Sequence, residues 1–324
     1  MPSLKTGERY FPEKVIKTMD PNQYAYETRK KRASLKKGEQ FADWSEKTQD
    51  IKIPPIKNQG IKSKLVKFIN ENITWNEKGK WIEPFLGSGV VMFNIQPKKA
   101  IGSDTNIHII NFYKNIQSGN ITSEKTRKYL ESEGEILFKK GEDHFYDVRK
   151  RFNESGDSMD FLFLNRACFN GMMRFNSKGG FNVPFCRKPN RFSKSYITKI
   201  TNQVKWLSEL FQNNKWEFRV SDWRDVVKDA KSGDFLYLDP PYFGRHTNYY
   251  NRWDESDLKD LSDFLKKTKA KFGLSLWLEN KYRKNEHIER LFSEFSIKTF
   301  EHFYHVGSSE DLRNSMTEAL ILNV

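Results

Sequence analysis

The stretch Phe235-Leu236-Tyr237-Leu238-Asp239-Pro240-Pro241-Tyr242 decides how this chain folds, because it joins an apolar run to a double proline. Four consecutive apolar residues predict a buried strand, and two prolines, which cannot donate ladder hydrogen bonds, end it at Leu238. The carbonyl groups of Asp239 and Pro240 then stay free as acceptors beside the Asp239 carboxylate, and Tyr242 adds an aromatic face. This group could hold an aromatic amine. An ordinary turn is the alternative, since Asp and Pro are common turn residues.

Outward from this stretch, apolar runs of strand length alternate with segments whose apolar residues have helical spacing. The predicted strands are 81–85, 99–103, 216–220, 235–238 and 271–276, and the predicted helices include 106–117, 256–265 and 280–292. Such alternation predicts an α/β fold with a mostly parallel, doubly wound, Rossmann-like sheet. Segments 297–304 and 317–323 follow one another without a helix, so an antiparallel terminal hairpin is expected at the sheet edge.

The length of the chain, 324 residues, fits two domains or one α/β domain with a large insertion. We predict a basic N-terminal extension at 1–52, a catalytic domain formed by 53–118 and 213–324, and a mainly helical insertion at 119–212. No apolar run approaches the roughly 20 residues of a membrane span, and the N-terminus lacks the apolar run of a signal peptide. A soluble, cytoplasmic protein is therefore expected.

The two cysteines, Cys168 and Cys186, could form one bridge, although free thiols are expected in a cytosolic chain. The residues around them do not have the spacing of metal ligands. No metal site is predicted.

The charge of the chain, +14 with an isoelectric point near 9.5, favours a polyanionic partner. Between residues 161 and 208 there is no Asp or Glu, and phenylalanines are interleaved with nine basic residues. The basic residues are Arg166, Arg174, Lys178, Arg187, Lys188, Arg191, Lys194, Lys199 and Lys205. A solvated face normally mixes both signs of charge, so this segment predicts a surface that binds the phosphates of nucleic acid.

A glycine turn, Phe85-Leu86-Gly87-Ser88-Gly89, follows the first predicted strand. Glycines let the backbone approach a ligand there, but a dinucleotide fingerprint would need a third glycine where the chain has Met92. Asp104 ends the next strand, where an acidic residue either accepts ribose hydroxyls or caps a helix. A nucleoside-bearing cofactor without a pyrophosphate fits both features, and S-adenosylmethionine is the candidate.

Asp222, after the third strand, could meet the adenine of the cofactor or cap the following helix. Asp104, Asp222 and Asp239 all follow strands that are expected to end at one edge of the sheet. Ligands of open α/β folds bind at that edge. The shared position favours a functional role for each of the three.

The motifs together resemble the Dam-type DNA adenine methyltransferases of the alpha class. The resemblance runs from about residue 54 to the C-terminus, in the order of cofactor motifs, insertion and catalytic tetrad. It rests on residues 55–62, the glycine turn, Asp104-x-Asn106, residues 165–176 with 181–185, the tetrad 239–242, and Arg313 followed by the closing strand. It implies a site-specific DNA adenine N6-methyltransferase, with residues 119–212 as the target-recognition domain.

For catalysis, the resemblance implies an adenine flipped out of duplex DNA and stacked on Tyr242. Asp239 and the Pro240 carbonyl would accept hydrogen bonds from its amino group. The implied cofactor-binding residues are Gly60, Lys62, Glu83, Phe85, Gly87, Gly89, Asp104, Asp222 and Asp239. Lys62 and the turn at Gly60 would meet the methionine end of S-adenosylmethionine.

For recognition, the resemblance implies a set of residues that contact double-stranded DNA. They are Lys57, Asn170, Met172, Arg174, Asn176, Arg187 and Lys188. Lys57 and Arg174 would read guanine edges at a GATC or longer GAT-containing site, and Asn170 and Met172 would lie near the gap left by the flipped base. Packing in the core is the alternative for Met172.

The chain departs from the family pattern at two places. It has Asn58 where the family has an aromatic residue, and it has one glycine in Gln59-Gly60-Ile61 where the family has two. Both departures affect the expected contacts to cofactor or base near Asn58. A restriction-modification role, with a cognate endonuclease as an indirect partner, is expected. The alternatives are methylation of cytosine N4 or of RNA, and a catalytically silent DNA-binding protein on this scaffold.

Overall fold

The computed structural model describes residues 51–242, 253–280, 283–303 and 315–323. The predicted basic extension falls outside them except for its last two residues, and Arg313 also lies outside. From Ile51 onward the described part of the chain forms one compact unit.

A single mixed sheet organises this unit. Its strands are β1 Trp81–Glu83, β2 Lys99–Asp104, β3 Lys215–Val220, β4 Phe235–Leu238, β5 Lys271–Asn280, β6 Arg283–Lys284, β7 Ser296–Phe303 and β8 Ser315–Leu322. The order is β3-β2-β1-β4-β5-β8-β7, with β6 paired to β5. The first five strands in this order are parallel, whereas β8 is antiparallel to both β5 and β7. The antiparallel pair predicted for the end of the chain is therefore confirmed.

Helices cover both faces of the sheet. They are α1 Val66–Asn72, α2 Val90–Ile95, α3 Ile107–Gln117, α4 Ser123–Lys140, α5 Glu142–Ser155, α6 Ser158–Ala167, α7 Lys194–Asn213, α8 Trp223–Val227, α9 Glu255–Leu265 and α10 Glu286–Phe292. In β4, Phe235 and Tyr237 join the core beneath α1 to α3, and Leu236 and Leu238 join the core beneath α8 to α10. A strand buried on both faces explains the uninterrupted apolar run. The doubly wound α/β prediction is confirmed.

One helix boundary was predicted wrongly. Residues 280–292 were expected to be helical, but β5 continues to Asn280 and α10 begins only at Glu286, where the Asn285 side chain accepts the His287 N–H. Pairing with β8 supports the additional length of β5, with a register shift between Trp277 and Glu279. Tertiary pairing outweighed the local pattern there.

The insertion between α3 and β3 is mainly helical, as expected. It contains α4 to α7, a short 3-10 turn at Phe169–Gly171, and a hairpin held by the bridges Cys168 to Phe185 and Phe175 to Phe181. Its buried phenylalanines belong to the same core as Trp81 and Phe93 of the sheet and α2. The insertion therefore packs directly on the sheet side that carries α1 to α3.

The order in which strands are added to the sheet reverses between β1 and β4. From β1 it proceeds outward to β2 and β3, and then returns to the other side of β1 to form β4. A crevice at the carboxyl ends of two such strands is where open α/β sheets bind ligands. Glu83 ends β1 and Asp239 follows β4, so both lie at this point.

Candidate functional site

A deep cleft opens at the carboxyl ends of β1, β2 and β4. It encloses about 1270 Å³ of space outside the protein atoms, open mouth included. Its walls come from the segment around Lys62, the glycine turn, the end of β2, the start of α8 and the tetrad. Open α/β sheets bind their ligands in a crevice at this edge, so the position of the cleft marks it as the candidate site.

The glycine turn brings backbone close to this cleft. Gly87 and Gly89 have φ angles of +49° and +68°, in the left-handed region. A Cβ on Gly89 would lie 2.4 Å from the ring of Phe93, and one on Gly87 would lie 2.4 Å from the amide nitrogen of Asn58. Glycine is therefore favoured at both positions by conformation, and at Gly89 also by space. Gly89 faces the buried Phe93 ring and is not among the residues that line the cleft.

Asp104 is fixed by this turn. Its Oδ2 accepts the Gly87 N–H at 2.8 Å and its Oδ1 accepts the Asn106 N–H at 2.8 Å. Burial raises the pKa of Asp104, and these backbone hydrogen bonds oppose that rise. The cap of α3 is Asn106, whose side chain accepts the His108 N–H. The capping role considered for Asp104 therefore belongs to Asn106.

Glu83 lies at the floor of the cleft with 2% of its surface exposed. Its Oε2 accepts the indole N–H of Trp81 at 3.0 Å. Burial raises the pKa of Glu83 to about 8, so the side chain holds a proton at neutral pH. A protonated carboxyl can donate as well as accept.

The tetrad and Lys62 form the polar centre of the cleft. Lys62 Nζ lies 2.8 Å from Asp239 Oδ1, 2.8 Å from the Tyr242 hydroxyl and 3.2 Å from the Gly60 carbonyl oxygen. Glu318 Oε2, from β8, is 3.7 Å from the same ammonium. The Lys62 ammonium thus restrains both the carboxylate and the aromatic ring of the tetrad.

The charges in this centre are strongly coupled. Burial alone would lower the pKa of Lys62, but Asp239, Tyr242 and Glu318 raise it well above its usual value. Burial raises the pKa of Asp239 to about 6, although Lys62 opposes the rise. The Asp239 side chain keeps 22% of its surface exposed toward the cleft. At neutral pH the centre therefore presents an ionised carboxylate beside a fixed cation.

Asp222 caps α8, one of the two roles considered for it from the sequence, and it also lines the cleft. Its Oδ1 accepts the Arg224 N–H at 2.9 Å, and Arg224 Nη1 lies 3.4 Å from the same oxygen. Arg224 also pairs with Asp257 and Asp260 of α9. The position of Asp222 at the cleft is thus held by an ion-pair network.

The expected DNA-contacting residues cluster on and beside the hairpin of the insertion. The Arg174 side chain donates from Nε to Asn182 Oδ1 at 2.8 Å and from Nη2 to the Asn182 carbonyl at 2.9 Å. Asn176 accepts the backbone N–H groups of Lys178 and Gly180 within the hairpin turn. Arg187 and Lys188 are exposed after the hairpin.

Asn170 and Met172 flank Gly171 at the base of the hairpin. Asn170 is exposed and has a φ angle of +54°, a conformation that non-glycine residues adopt uncommonly. Met172 is half-buried against the main core, so the packing role considered for it is present. The hairpin therefore projects a strained, exposed asparagine beside a packed methionine.

The basic segment is not wholly a surface. Six of its nine cationic side chains are exposed, and Arg191 and Arg174 are half-buried. Arg166 is only 3% exposed, with its guanidinium donating to Tyr196 and Gln203. Of the interleaved phenylalanines, Phe169 is exposed, whereas Phe181, Phe185 and Phe192 are buried. The aromatic pattern thus reflects core packing more than ligand contact.

Sequence reasoning missed several cleft residues. Met173 and Phe175 of the hairpin and Trp223 of α8 line the cleft, and Glu318 reaches Lys62 from β8. Glu318 left a signal in the sequence, because it is the one charged residue in the strand Ser315–Leu322. The other three gave none, since apolar residues in these elements also suit a core.

In the described ranges, no group of three or more His, Cys, Asp or Glu side chains could hold a metal ion. In the same ranges, no helix is both long and apolar enough to cross a bilayer. Cys168 and Cys186 are free thiols.

Comparison with known proteins finds one matching family model and several similar proteins. Residues 59–306 match the family model described as D12 class N6 adenine-specific DNA methyltransferase. The chain is 28% identical over 279 residues to a DNA adenine methylase of Vibrio cholerae, covering 82% of this chain and 94% of that protein. It is 30% identical over 299 residues to the Type II methyltransferase M.MjaIII of Methanocaldococcus jannaschii, covering 83% and 98%. Identity to the Type II methyltransferase M1.LlaDCHI of Lactococcus lactis is 27% over 259 residues, covering 75% and 86%.

Proposed function

Because the chain belongs to the D12 class N6 adenine-specific DNA methyltransferases, we propose that it methylates adenine N6 at a specific site in double-stranded DNA. The methyl donor is S-adenosylmethionine and the adenine is flipped out of the duplex. The site is GATC-like or contains GAT, and the enzyme acts in the cytoplasm within a restriction-modification system. The Type II names of two similar proteins support that context.

The observation that carries the proposal is the meeting of Lys62, Asp239 and Tyr242 in the cleft that also contains the glycine turn and Asp104. One half of this cleft has carboxylates suited to hydroxyl and amino groups. The other half has an acceptor pair and an aromatic ring suited to a flat amine. Two ligands can therefore meet in one cavity.

The residues present fit S-adenosylmethionine. Phe85 to Ser88 of the glycine turn line the cleft, so a ligand there can approach the backbone of the turn closely. The carboxylates of Asp104 and Asp222 can accept from ribose hydroxyls and from an adenine amino group, and both line the cleft. Gly60 and Lys62 would hold the methionine end of the donor, and Glu83 and Phe85 would contribute to the same site. When bound, S-adenosylmethionine supplies an electrophilic methyl group on sulfur.

The chain's own residues orient the amine. Asp239 and the Pro240 carbonyl accept hydrogen bonds from the adenine amino group, which turns its lone pair toward the methyl donor. Tyr242 stacks on the base, held by Lys62 through its hydroxyl. Alignment of the reacting atoms supplies much of the rate.

Little basicity is needed from the protein. The amine becomes strongly acidic only as its new bond to carbon forms, so a carboxylate with a pKa of about 6 can take the departing proton. Lys62 keeps Asp239 ionised before the reaction. Asp239 releases this proton to solvent once the products have left the cleft.

The DNA face carries the recognition. Flipping costs a few kcal/mol of unstacking, which contacts to the rest of the duplex must offset. Arg187 and Lys188 meet phosphates, and Asn176 shapes the hairpin turn beside them. Arg174 keeps its Nη1 group and one Nη2 hydrogen free for a base edge after its bonds to Asn182. Lys57 reads a guanine, and Asn170 and Met172 border the gap left by the adenine.

Incubation with methyl-labelled S-adenosylmethionine and duplex DNA tests the proposal. Label should appear in N6-methyladenine, and sequencing of modified bases in DNA from expressing cells should give the site. Asp239→Ala should abolish transfer while DNA binding persists. Label in cytosine or in RNA would refute the assigned target, and DNA binding without any transfer by the native chain would indicate a silent binding protein.

A further inference from the structure

The contacts that fix Lys57 come from the insertion and not from the sheet. The Lys57 N–H donates to Asn165 Oδ1 at 2.8 Å, and Asn165 Nδ2 donates to the Lys57 carbonyl oxygen at 2.9 Å. Asn165 lies in α6 and is fully buried. One amide therefore satisfies both backbone groups of Lys57 across 108 positions of sequence.

The side chain of Lys57 is confined as well. Gly171, with a φ of +64°, faces its aliphatic stem, and a Cβ on Gly171 would lie 2.5 Å from Lys57 Cδ. Tyr196 is near enough to the Lys57 ammonium to raise its pKa, against the larger lowering by burial. The Tyr196 hydroxyl accepts from Arg191 Nη2 at 2.7 Å and from Arg166 Nη1 at 3.3 Å. Two guanidinium groups thus hold the phenol oxygen beside Lys57.

The charge of this group is not compensated. Among the described residues, no carboxylate oxygen lies within 4.0 Å of the charged nitrogens of Lys57, Arg166 or Arg191. An ammonium held beside other positive charges gains more electrostatic free energy than a solvated ammonium when a hydrogen-bond acceptor approaches its open side. The major-groove edge of guanine offers two such acceptors, O6 and N7.

We propose that Asn165 and Tyr196 are positioning residues that hold Lys57 ready to read a guanine edge, an inference that rests on the proposed function. Asn165 fixes the backbone from which Lys57 extends, and Tyr196 fixes the direction of its ammonium. A free lysine side chain would lose its rotamer freedom on meeting the base, whereas the held side chain has already lost it. Discrimination at that guanine therefore depends on both residues.

The experiment compares duplexes that carry guanine or 7-deazaguanine at each guanine of the sequenced site. The 7-deaza base lacks the N7 acceptor and keeps its Watson-Crick pairing. For the native enzyme, kcat/KM should fall about tenfold at the guanine read by Lys57. Lys57→Ala should abolish that difference and so identify the guanine.

Asn165→Ala should reduce the tenfold ratio nearly to one, and Tyr196→Phe should give an intermediate ratio. The double variant Asn165→Ala with Lys57→Ala should show the same kcat/KM ratio between guanine and 7-deazaguanine duplexes as Lys57→Ala alone, because Asn165 acts through Lys57. An unchanged ratio in Asn165→Ala overturns the inference. The inference is also overturned if Asn165→Ala lowers kcat/KM on guanine DNA as much in the Lys57→Ala background as in the native enzyme.

Asn94→Ala is the matched control. Asn94 Oδ1 accepts the Lys52 N–H at 2.9 Å, and its Nδ2 donates to the Lys52 carbonyl at 2.9 Å, which is the same clamp on another residue. The melting temperature of the Asn94→Ala variant should fall, but its kcat/KM should still differ about tenfold between guanine and 7-deazaguanine duplexes. If Asn165→Ala does not fold, Asn165→Asp, which keeps the shape and the acceptor, and Tyr196→Phe give the same readout.

The outcomes separate the inference from its premise. If the native chain methylates no adenine, the proposed function fails. If it methylates adenine but no guanine responds to Lys57→Ala, the role of Lys57 fails and the inference fails with it. If Lys57 matters and Asn165 does not, only the inference fails.

Discussion

Two lysines five residues apart, Lys57 and Lys62, lie in opposite electrostatic settings. Lys62 is enclosed with Asp239 and Glu318, which raise its pKa well above the usual value. Lys57 is half-buried beside Arg166 and Arg191, and burial with their like charge lowers its pKa. One short segment thus joins a cation with carboxylate partners in the cleft to a cation that, among the described residues, has none.

The difference shows how one fold divides two tasks. A reacting centre needs fixed geometry, and opposite charges in contact supply it. A surface for a polyanion needs charge that the protein itself does not neutralise, because pairing inside the protein would have to be broken before DNA could bind. The acid-free segment 161–208 supplies that condition in the insertion, where we propose that DNA binds.

Neutral replacement of each lysine gives the largest expected contrast. Lys62→Met leaves Asp239 and Glu318 without their cation, so we expect a loss of about 3 to 5 kcal/mol in the free energy of unfolding and at least about a hundredfold in kcat. Lys57→Met removes a charge that has no carboxylate partner, so stability should hold or rise while kcat/KM falls about tenfold. Urea unfolding measures the stability of the two variants, and methyl transfer measures their activity. Equal destabilisation by the two variants would remove the contrast.

The pH dependence sharpens the catalytic side. Below a pH of about 6, Asp239 becomes protonated, and the single-turnover rate should fall about tenfold per pH unit. The stability contributed by this group has the opposite sign. Its pKa in the folded protein lies above the ordinary 3.8, so this contribution is lost as pH rises from about 4 to 6. Rate profiles and unfolding at matched pH test this, and a flat rate between pH 5 and 7 would contradict it.

Glu318→Gln tests whether the second carboxylate acts through Lys62. The Glu318 charge raises the pKa of both Lys62 and Asp239, so the variant should move the acid limb of the rate profile to lower pH. Loss of one restraint on Lys62 should also lower kcat by about fivefold, equivalent to about 1 kcal/mol. The KM for DNA should not change. A limb that stays in place would assign Glu318 a packing role only.

The smallest effect is expected on the recognition side. Arg187→Ala or Lys188→Ala should weaken DNA binding by a few-fold regardless of sequence, and should reduce the slope of log Kd against log salt by about one. Binding of sinefungin, an analogue of the methyl donor, should be unaffected. Titrations at several salt concentrations decide, and an unchanged slope would place both residues outside the DNA contact.

Much of the fold was predictable because its signals are local. The double proline ends β4 at Leu238, as predicted, and the strands after Trp81 and Lys99 lie where the sequence indicates. The boundary of α10 was wrong because β8 pairs with β5 from Gly273 to Asn280, a contact between segments distant in sequence. Local pattern cannot report such pairing.

The candidate site was predictable in part for the same reason. Asp239, Lys62, Asp104 and the glycine turn carry recognisable residue types at fixed spacings, and the structure brings them into one cleft. Their roles as cofactor and base contacts stay predictions. Met173 and Phe175 reach the cleft from a distant element, and their apolar residue types gave no warning. Glu318 contacts Lys62 from β8, and its only signal was its charge in an otherwise uncharged strand.

The sequence by itself determined the strand-helix alternation, the acid-free basic insertion and the tetrad, since each depends on residues adjacent along the chain. Only the tertiary structure decided which charges meet. It placed Glu318 on Lys62 and Asn165 on Lys57, and it buried Arg166 while leaving Lys188 exposed. Electrostatic energy depends on distance and burial, which the order of residues does not contain.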